Sequence, residues 1–312
     1  MVTKLCDRKR RWRLPVRMIR PMLRWVMEQR ARITIGTLRA RKREQQRFCV
    51  LTCYDYSTAR IMEAAGIESL LVGDTYGEVC LGHRTTLPVT VDQLVEVTAA
   101  VRRGAPHVFL IGDMPYLSFQ VSNEKAIENA GKFMARAGCD CVKVEVDRRL
   151  ADTVEALSRA AVPVMAHLGL KPQSVHQLGG YRAQGNTAET AKAIIEDAAI
   201  MQDAGAVAIL VEAIPAEVAR IITERVDLPV IGCVSGPHCD GQVVVVHDIL
   251  GYGGGHPPQS VKVYADLQKI LTAAFQAYAE DVRQGQFPRP EKGIFMPDKE
   301  LARLRRMLGH RG

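Results

Sequence analysis

The chain has 312 residues, of which 47% are hydrophobic and 24% charged, the makeup of one large globular domain or two ordinary ones, so global disorder is excluded. Its net charge of +8 is unevenly placed: residues 1–47 hold 16 Lys+Arg against 3 Asp+Glu, and the other 265 residues carry a net −5. The body is mildly acidic, so its charge gives no ground for reading it as a nucleic-acid surface.

Residues 1–30 form a basic arm with both tryptophans, Trp12 and Trp25, and with Pro15 and Pro21 breaking any long helix. No apolar core of a secretory signal is present. The plain reading is a poorly ordered extension, or initiation at Met22 or Met27. An Arg-rich presequence and a surface for RNA, anionic lipid or a partner are the other readings. The longest apolar runs, such as Val243–Val246 and Ala206–Val211, are far short of the roughly 20 residues of a membrane helix. Eight cysteines contain no C-x-x-C pair, and several lie in apolar runs, which fits reduced thiols in a cytoplasmic protein.

From residue 47 onward short apolar runs alternate with helical patterns. The strand candidates are Phe48–Cys53, Ser69–Gly73, Val108–Gly112, Cys141–Glu145, Val162–Ala166, Val207–Val211, Val230–Cys233 and Val243–Val246. Helices are expected at Val91–Arg103, at Asn123–Ala137 behind the N-cap Ser122, at Thr187–Ala204, at Pro215–Arg225 and at Ser260–Glu280. Eight strands alternating with helices predict an α/β fold, a (β/α)8 TIM barrel. The phosphate-binding fingerprint of a doubly wound sheet is absent. The expected division is a basic extension at 1–30, a single catalytic barrel at 31–285 and a tail at 286–312.

In such a barrel the strand ends share one mouth. Asp74, Asp113 and Glu145 end three consecutive strands, and three anions so close would raise one another's pKa unless a cation holds them. Oxygen ligands select a hard divalent ion, with Mg²⁺ the default. Lys143 and Glu145 are two apart on one strand and share a face, which suits an anionic substrate. His167, Glu212, Ser235 and His247-Asp248 stand at the later strand ends. Taken singly, each Asp also fits a helix cap, Lys143 with Glu145 an internal ion pair, and His167 a core histidine. Residues 167–185 are too long for an ordinary loop, and Gly179-Gly180 gives them a hinge, so they read as a lid or wall or as a surface excursion.

Several blocks resemble one family. They include Tyr54-Asp55-Tyr56, Val72-Gly73-Asp74, the run GHRTTLPVT over 82–90, Asp113-Met114-Pro115, Val142-Lys143-Val144-Glu145, the run HLGLKPQS over 167–174, the run GGYRAQG over 179–185, and His247-Asp248. In this order, over roughly residues 33–285, the sequence resembles ketopantoate hydroxymethyltransferase. The resemblance implies a Mg²⁺-dependent barrel that moves a hydroxymethyl group from 5,10-methylenetetrahydrofolate to 3-methyl-2-oxobutanoate through a Mg-stabilised enolate. It also implies a cytoplasmic homo-oligomer, commonly a decamer. By the resemblance Asp74, Asp113 and Glu145 match the metal positions. Asp74, Thr75, Asp113 and Lys143 match the keto-acid contacts, with Tyr54, His167 and Ser235 as further candidates. Glu212 matches the proton acceptor. Three places depart from the family pattern: Thr75 stands for Ser, Val234-Ser235-Gly236 for Gly-Ala-Gly, and Pro258-Gln259-Ser260 for Pro-Lys-Phe. Val234 and the missing Pro-Lys-Phe keep open a folate-independent metal-dependent lyase or mutase on another 2-oxo acid, beside the remoter reading of an inactive scaffold with an RNA- or membrane-binding arm.

Overall fold

The computed structural model describes residues 31–253 and 258–309. The expectations for residues 1–30 lie outside the described residues. Two compact units are present. The first holds 31–249, 253 and 258–262; the second holds 250–252 and 263–309.

The first unit is a closed barrel of eight parallel strands in sequence order. They are β1 Phe48–Thr52, β2 Ser69–Val72, β3 Phe109–Asp113, β4 Cys141–Glu145, β5 Val164–Gly169, β6 Ala208–Glu212, β7 Val230–Cys233 and β8 Gly241–Val244. The helices are α1 Ile35–Arg43, α2 Tyr56–Ala65, α3 Tyr76–Val79, α4 Val91–Gly104, α5 Asn123–Lys132, α6 Ala151–Arg159, α7 Val175–Leu178, α8 Ala188–Asp203, α9 Ala216–Arg225 and α10 Val246–Leu250. The caps explain the starts. Ser122 accepts the Lys125 N–H before α5, Thr187 the Thr190 N–H before α8, and Asp55 the Thr58 N–H before α2.

Four expectations shift. The fifth strand runs Val164–Gly169 rather than Val162–Ala166. The eighth strand begins two residues earlier than expected, and Val246 already opens α10. A run of four valines has no alternation to mark its strand register. The segment expected as Asn123–Ala137 is α-helical only to Lys132, and Phe133–Ala137 is a π-helical turn. The last long helix runs Leu267–Arg283 rather than Ser260–Glu280.

The second unit contains that helix, α11, and α12 Asp298–Met307. Neither buries a residue. The expected barrel limit at 285 falls inside this unit, after α11.

Alternation along the strands fills the barrel. Phe109 and Ile111, Cys141, Met165, Ala208 and Leu210, Ile231, Val243, and Phe48 and Val50 form one buried cluster. Helix α1 closes the lower end. Its Leu38 is fully buried in that cluster. Arg41 pairs with Glu68 at 2.8 Å, and Lys42 pairs with Asp240 at 3.0 Å. Among the described residues no helix is long and apolar enough to cross a membrane. The seven described cysteines are all free.

Gly112 shows how tightly β3 is backed. A Cβ there would lie 2.5 Å from Cδ1 of Phe133, which is fully buried in the π-helical turn. Gly112→Ala should therefore lower the unfolding free energy by about 1–3 kcal/mol through overpacking, measured by urea denaturation.

Candidate active site

The period of two that builds the core also builds the site. Above Phe109 and Ile111 the next inward position of β3 is Asp113. Above Cys141 come Lys143 and Glu145 of β4, above Met165 comes His167 of β5, and above Leu210 comes Glu212 of β6. The register sets Asp113 opposite Lys143, and Glu145 opposite His167. The upper end of an apolar column thus becomes polar. Asp74 joins from the turn after β2, where its N–H donates to Asp113 Oδ2 at 3.0 Å.

Lys143 Nζ lies 2.6 Å from Asp113 Oδ1, and both side chains are almost wholly buried. Burial pushes Asp113 upward and the nearby Asp74 adds to this, against the pull of Lys143. Burial works to lower Lys143, but Asp113, Asp74 and Glu145 hold its ammonium above the usual range. Burial raises Glu145 well above an ordinary carboxyl, with Asp74, Asp113 and Glu212 adding to the rise. Burial likewise pushes Glu212 up to about 7. Burial first, then the charge of Lys143, holds His167 well below its usual value, so its ring is neutral. Its Nε2 lies 3.2 Å from Glu212 Oε2 and its Nδ1 lies 3.7 Å from Glu145 Oε1, neither aligned as a hydrogen bond.

One residue that strand-end reasoning missed ties the carboxylates together. Gln173 is 5% exposed in the loop after β5. Its N–H donates to Glu145 Oε2 at 3.0 Å, and its Nε2 donates to Asp74 Oδ2 at 2.9 Å and to the Met114 carbonyl at 3.0 Å. The sequence shows it only as a glutamine in a long loop. The same loop reaches across the mouth, where Tyr181 donates to Glu78 Oε1 at 2.9 Å.

The remaining candidates separate. Tyr54 Oη and Thr75 Oγ1 are 2.5 Å apart beside the rim, and the Tyr54 ring lies 5.7 Å from that of His247. Ser235 is turned into the fold. Its single hydroxyl proton is shared between the Val211 and Cys233 carbonyls, each 3.0 Å away, and its oxygen accepts the Ile214 N–H at 3.3 Å, fastening the ends of β6 and β7. Val234 before it is 39% exposed with φ of +52°, a left-handed conformation costly for a β-branched residue.

Asp74, Asp113 and Glu145 offer a hard cation oxygen donors only. Glu145 Oε1 is buried and accepts no hydrogen bond. Three buried carboxylates beside one lysine leave negative charge that a divalent cation would offset. Among the described residues no group of three or more His, Cys, Asp or Glu side chains is placed to hold a metal ion. Mg²⁺ commonly keeps water and substrate oxygens among its ligands, and this donor set fits that habit.

Residues 32–290 match the family model described as ketopantoate hydroxymethyltransferase. A protein of Syntrophomonas wolfei subsp. wolfei named 3-methyl-2-oxobutanoate hydroxymethyltransferase is 42% identical over 274 residues, covering 88% of this chain and 99% of that protein. A Geobacillus sp. (strain WCH70) protein of the same name is 44% identical, covering 84% of this chain and 94% of its own length. The solved structure of phosphoenolpyruvate phosphomutase from Streptomyces platensis subsp. rosaceus shares the fold at a TM-score of 0.55 and 14% identity, over 88% of this chain and 96% of that one.

Ser235→Ala should lower the unfolding free energy by about 1–3 kcal/mol, because the buried Ile214 N–H loses its acceptor. Chemical denaturation checks this.

Proposed function

The chain belongs to the ketopantoate hydroxymethyltransferase family, and from that membership we propose that it transfers a hydroxymethyl group from 5,10-methylenetetrahydrofolate to 3-methyl-2-oxobutanoate, giving ketopantoate in pantothenate synthesis. The observation that carries the reading is the inward set of Asp113, Lys143, Glu145, His167 and Glu212 above an apolar column, with Asp74 beside it. We take the working enzyme to be a cytoplasmic homo-oligomer, as the family resemblance implies.

Asp74, Asp113 and Glu145 would hold Mg²⁺, which when bound supplies Lewis-acid polarisation of a 2-oxo acid. Lys143 is the cation nearest these carboxylates and would neutralise the substrate carboxylate or the developing oxyanion. Glu212 is the base for the C3 proton. A carboxyl raised to about 7 is matched to proton transfer near neutrality. His167 is neutral and lies between Glu145 and Glu212, where it would orient the substrate or pass a proton along. Tyr54 and Thr75 fix each other at the edge of the keto-acid site. C3 of the enolate then attacks the methylene carbon of the donor's ring-opened iminium, whose C=N electron pair moves onto nitrogen, and water afterwards displaces that nitrogen from the methylene carbon, leaving the hydroxymethyl group and releasing tetrahydrofolate.

Proton NMR in D₂O with keto acid and Mg²⁺, before and after the donor is added, tests the reading. C3 deuterium exchange followed by folate-dependent ketopantoate is the expected result. Exchange without ketopantoate would move the protein to a folate-independent lyase or mutase. Neither event, with metal bound, would overturn the site itself.

Glu212→Gln should cut turnover by about 10²–10⁴-fold while metal binding is kept. In the wild type, the base must be ionised. The exchange rate should therefore climb as pH rises through about 7, and a flat profile would remove Glu212 from this role. Gln173→Ala takes away the side-chain donor to Asp74 and should weaken Mg²⁺ binding by about 10–100-fold, the scale for groups that orient metal ligands, measured by calorimetry.

A further inference from the structure

Val234 leaves β7 at the rim, and the pairing of β6 with β7 brings it close to the base. Glu212 stands opposite Cys233, and the Ala213 N–H donates to the Cys233 carbonyl at 2.9 Å. Neighbouring strands lie about 4.8 Å apart, so the Val234 backbone starts one residue beyond a direct neighbour of Glu212. Ala213 and Val234 then both turn through positive φ, at +47° and +52°. Among the described non-glycine residues at positive φ, Val234 is the β-branched one, and branching at Cβ makes that conformation a true outlier.

The strained turn is held from several sides. Ser235 is buried, and its hydroxyl engages the Val211 and Cys233 carbonyls and the Ile214 N–H. Gln242 Nε2 donates to the Gly236 carbonyl at 3.0 Å. A Cβ on Gly236 would collide with Ala216 of α9, so the turn has no room to slide toward that helix. Within residues 230–235 Val234 alone is exposed. The fold thus keeps a branched apolar side chain at an open rim, on a backbone where glycine would sit without strain. Strain kept beside a base points to contact with what the base acts on.

We propose that Val234 is a specificity-determining residue, whose side chain limits the size of the alkyl group that the site accepts at C3 of a 2-oxo acid. The chemistry of the substrate places that group. Its carboxylate and keto oxygen belong with Lys143 and with Asp74, Asp113 and Glu145, which come from β3, β4 and the turn after β2. C3 lies toward Glu212 of β6, which takes its proton, and the two methyl groups on C3 extend toward β7. Cys233, packed against the apolar column, is the inward group below them. Val234 closes the same side from above. A longer C3 chain meets its methyls, and the compact dimethyl carbon gains an apolar contact from them. The assignment rests on the 2-oxo acid reading of the site and is independent of the donor.

Deuterium exchange at C3 in D₂O with Mg²⁺ tests it, because exchange uses no donor. The quantity to compare is kcat/KM for 3-methyl-2-oxopentanoate, which carries one more methylene on C3, divided by kcat/KM for 3-methyl-2-oxobutanoate. Val234→Gly removes the side chain and suits the left-handed backbone, so it should melt no lower than the wild type. It should raise the ratio about tenfold or more, the scale of discrimination for one methylene in an apolar pocket. Its KM for 3-methyl-2-oxobutanoate should rise several-fold as the apolar contact is lost. Val234→Ala should raise the ratio part of the way. Val234→Thr keeps the branched shape and should keep the wild-type ratio, whatever happens to the rate.

A ratio unchanged in both Val234→Gly and Val234→Ala would overturn the proposal. So would an equal loss of exchange for both acids, since a purely structural role slows the two alike. A ratio that rises in Val234→Thr as much as in Val234→Gly would also overturn it, because size would then not be the cause. Where Val234→Gly fails to fold, Val234→Ala decides. A wild-type protein that exchanges neither acid with metal bound removes the 2-oxo acid reading itself, and the proposal goes with it. Exchange by the wild type with no shift in the variants removes only the role of Val234.

Discussion

A carboxylate inside a barrel must meet a cation or give up its charge, and the upper half of this protein is arranged around that constraint. Asp113 meets Lys143 at 2.6 Å. Asp74 meets the amide of Gln173, and Glu145 meets its backbone N–H. Glu145 Oε1 has no such donor. The cluster therefore stands short of positive charge, and its affinity for a divalent ion and an anionic keto acid follows from that shortage. A stability role alone would favour apolar residues of similar volume, because burying ion pairs gains little net free energy.

The sequence makes the barrel and the inner wall of the site legible for one reason. Strand parity decides both, and parity is local. Asp113 and Glu212 close strands whose earlier inward residues are plainly apolar, and in β4 Lys143 and Glu145 follow the inward Cys141. Gln173 is not legible in this way. Its partners lie 28, 59 and 99 residues away in the chain, and no periodicity marks the loop that brings it to them. Ser235 looks the same in sequence as a pocket residue would, and only the positions of the Val211 and Cys233 carbonyls show its hydroxyl engaged within the fold. The shifted eighth strand has the same origin, since uniform valines carry no parity. Helix α1 could not be foreseen from amphipathicity because it buries a single residue, Leu38.

The long loop after β5 earns its length by serving two regions. Near its start Gln173 holds the rim carboxylates, and farther on Tyr181 reaches Glu78 in α3. Gly179 and Gly180, both at positive φ, separate the two parts. The first part holds the buried Leu170 and Gln173 and is fixed by the bonds of Gln173, while Tyr181, Arg182 and Ala183 are exposed. The two parts therefore differ in how freely they can move: the site's inner geometry is held while its outer edge has freedom to adapt.

The lower plug has a consequence for how the chain is made. Lys42 of α1 donates to the Thr223 carbonyl and to Asp240, which lie 181 and 198 residues later. β1 likewise pairs with β8. During synthesis α1 precedes every strand, yet these partners emerge almost last. The floor of the barrel can be sealed only after nearly the whole first unit has left the ribosome. Assembly is then governed by long-range closure and is slow for the protein's size. The basic side chains of α1, Arg39, Arg41, Lys42 and Arg43, keep the waiting segment hydrated in the interval.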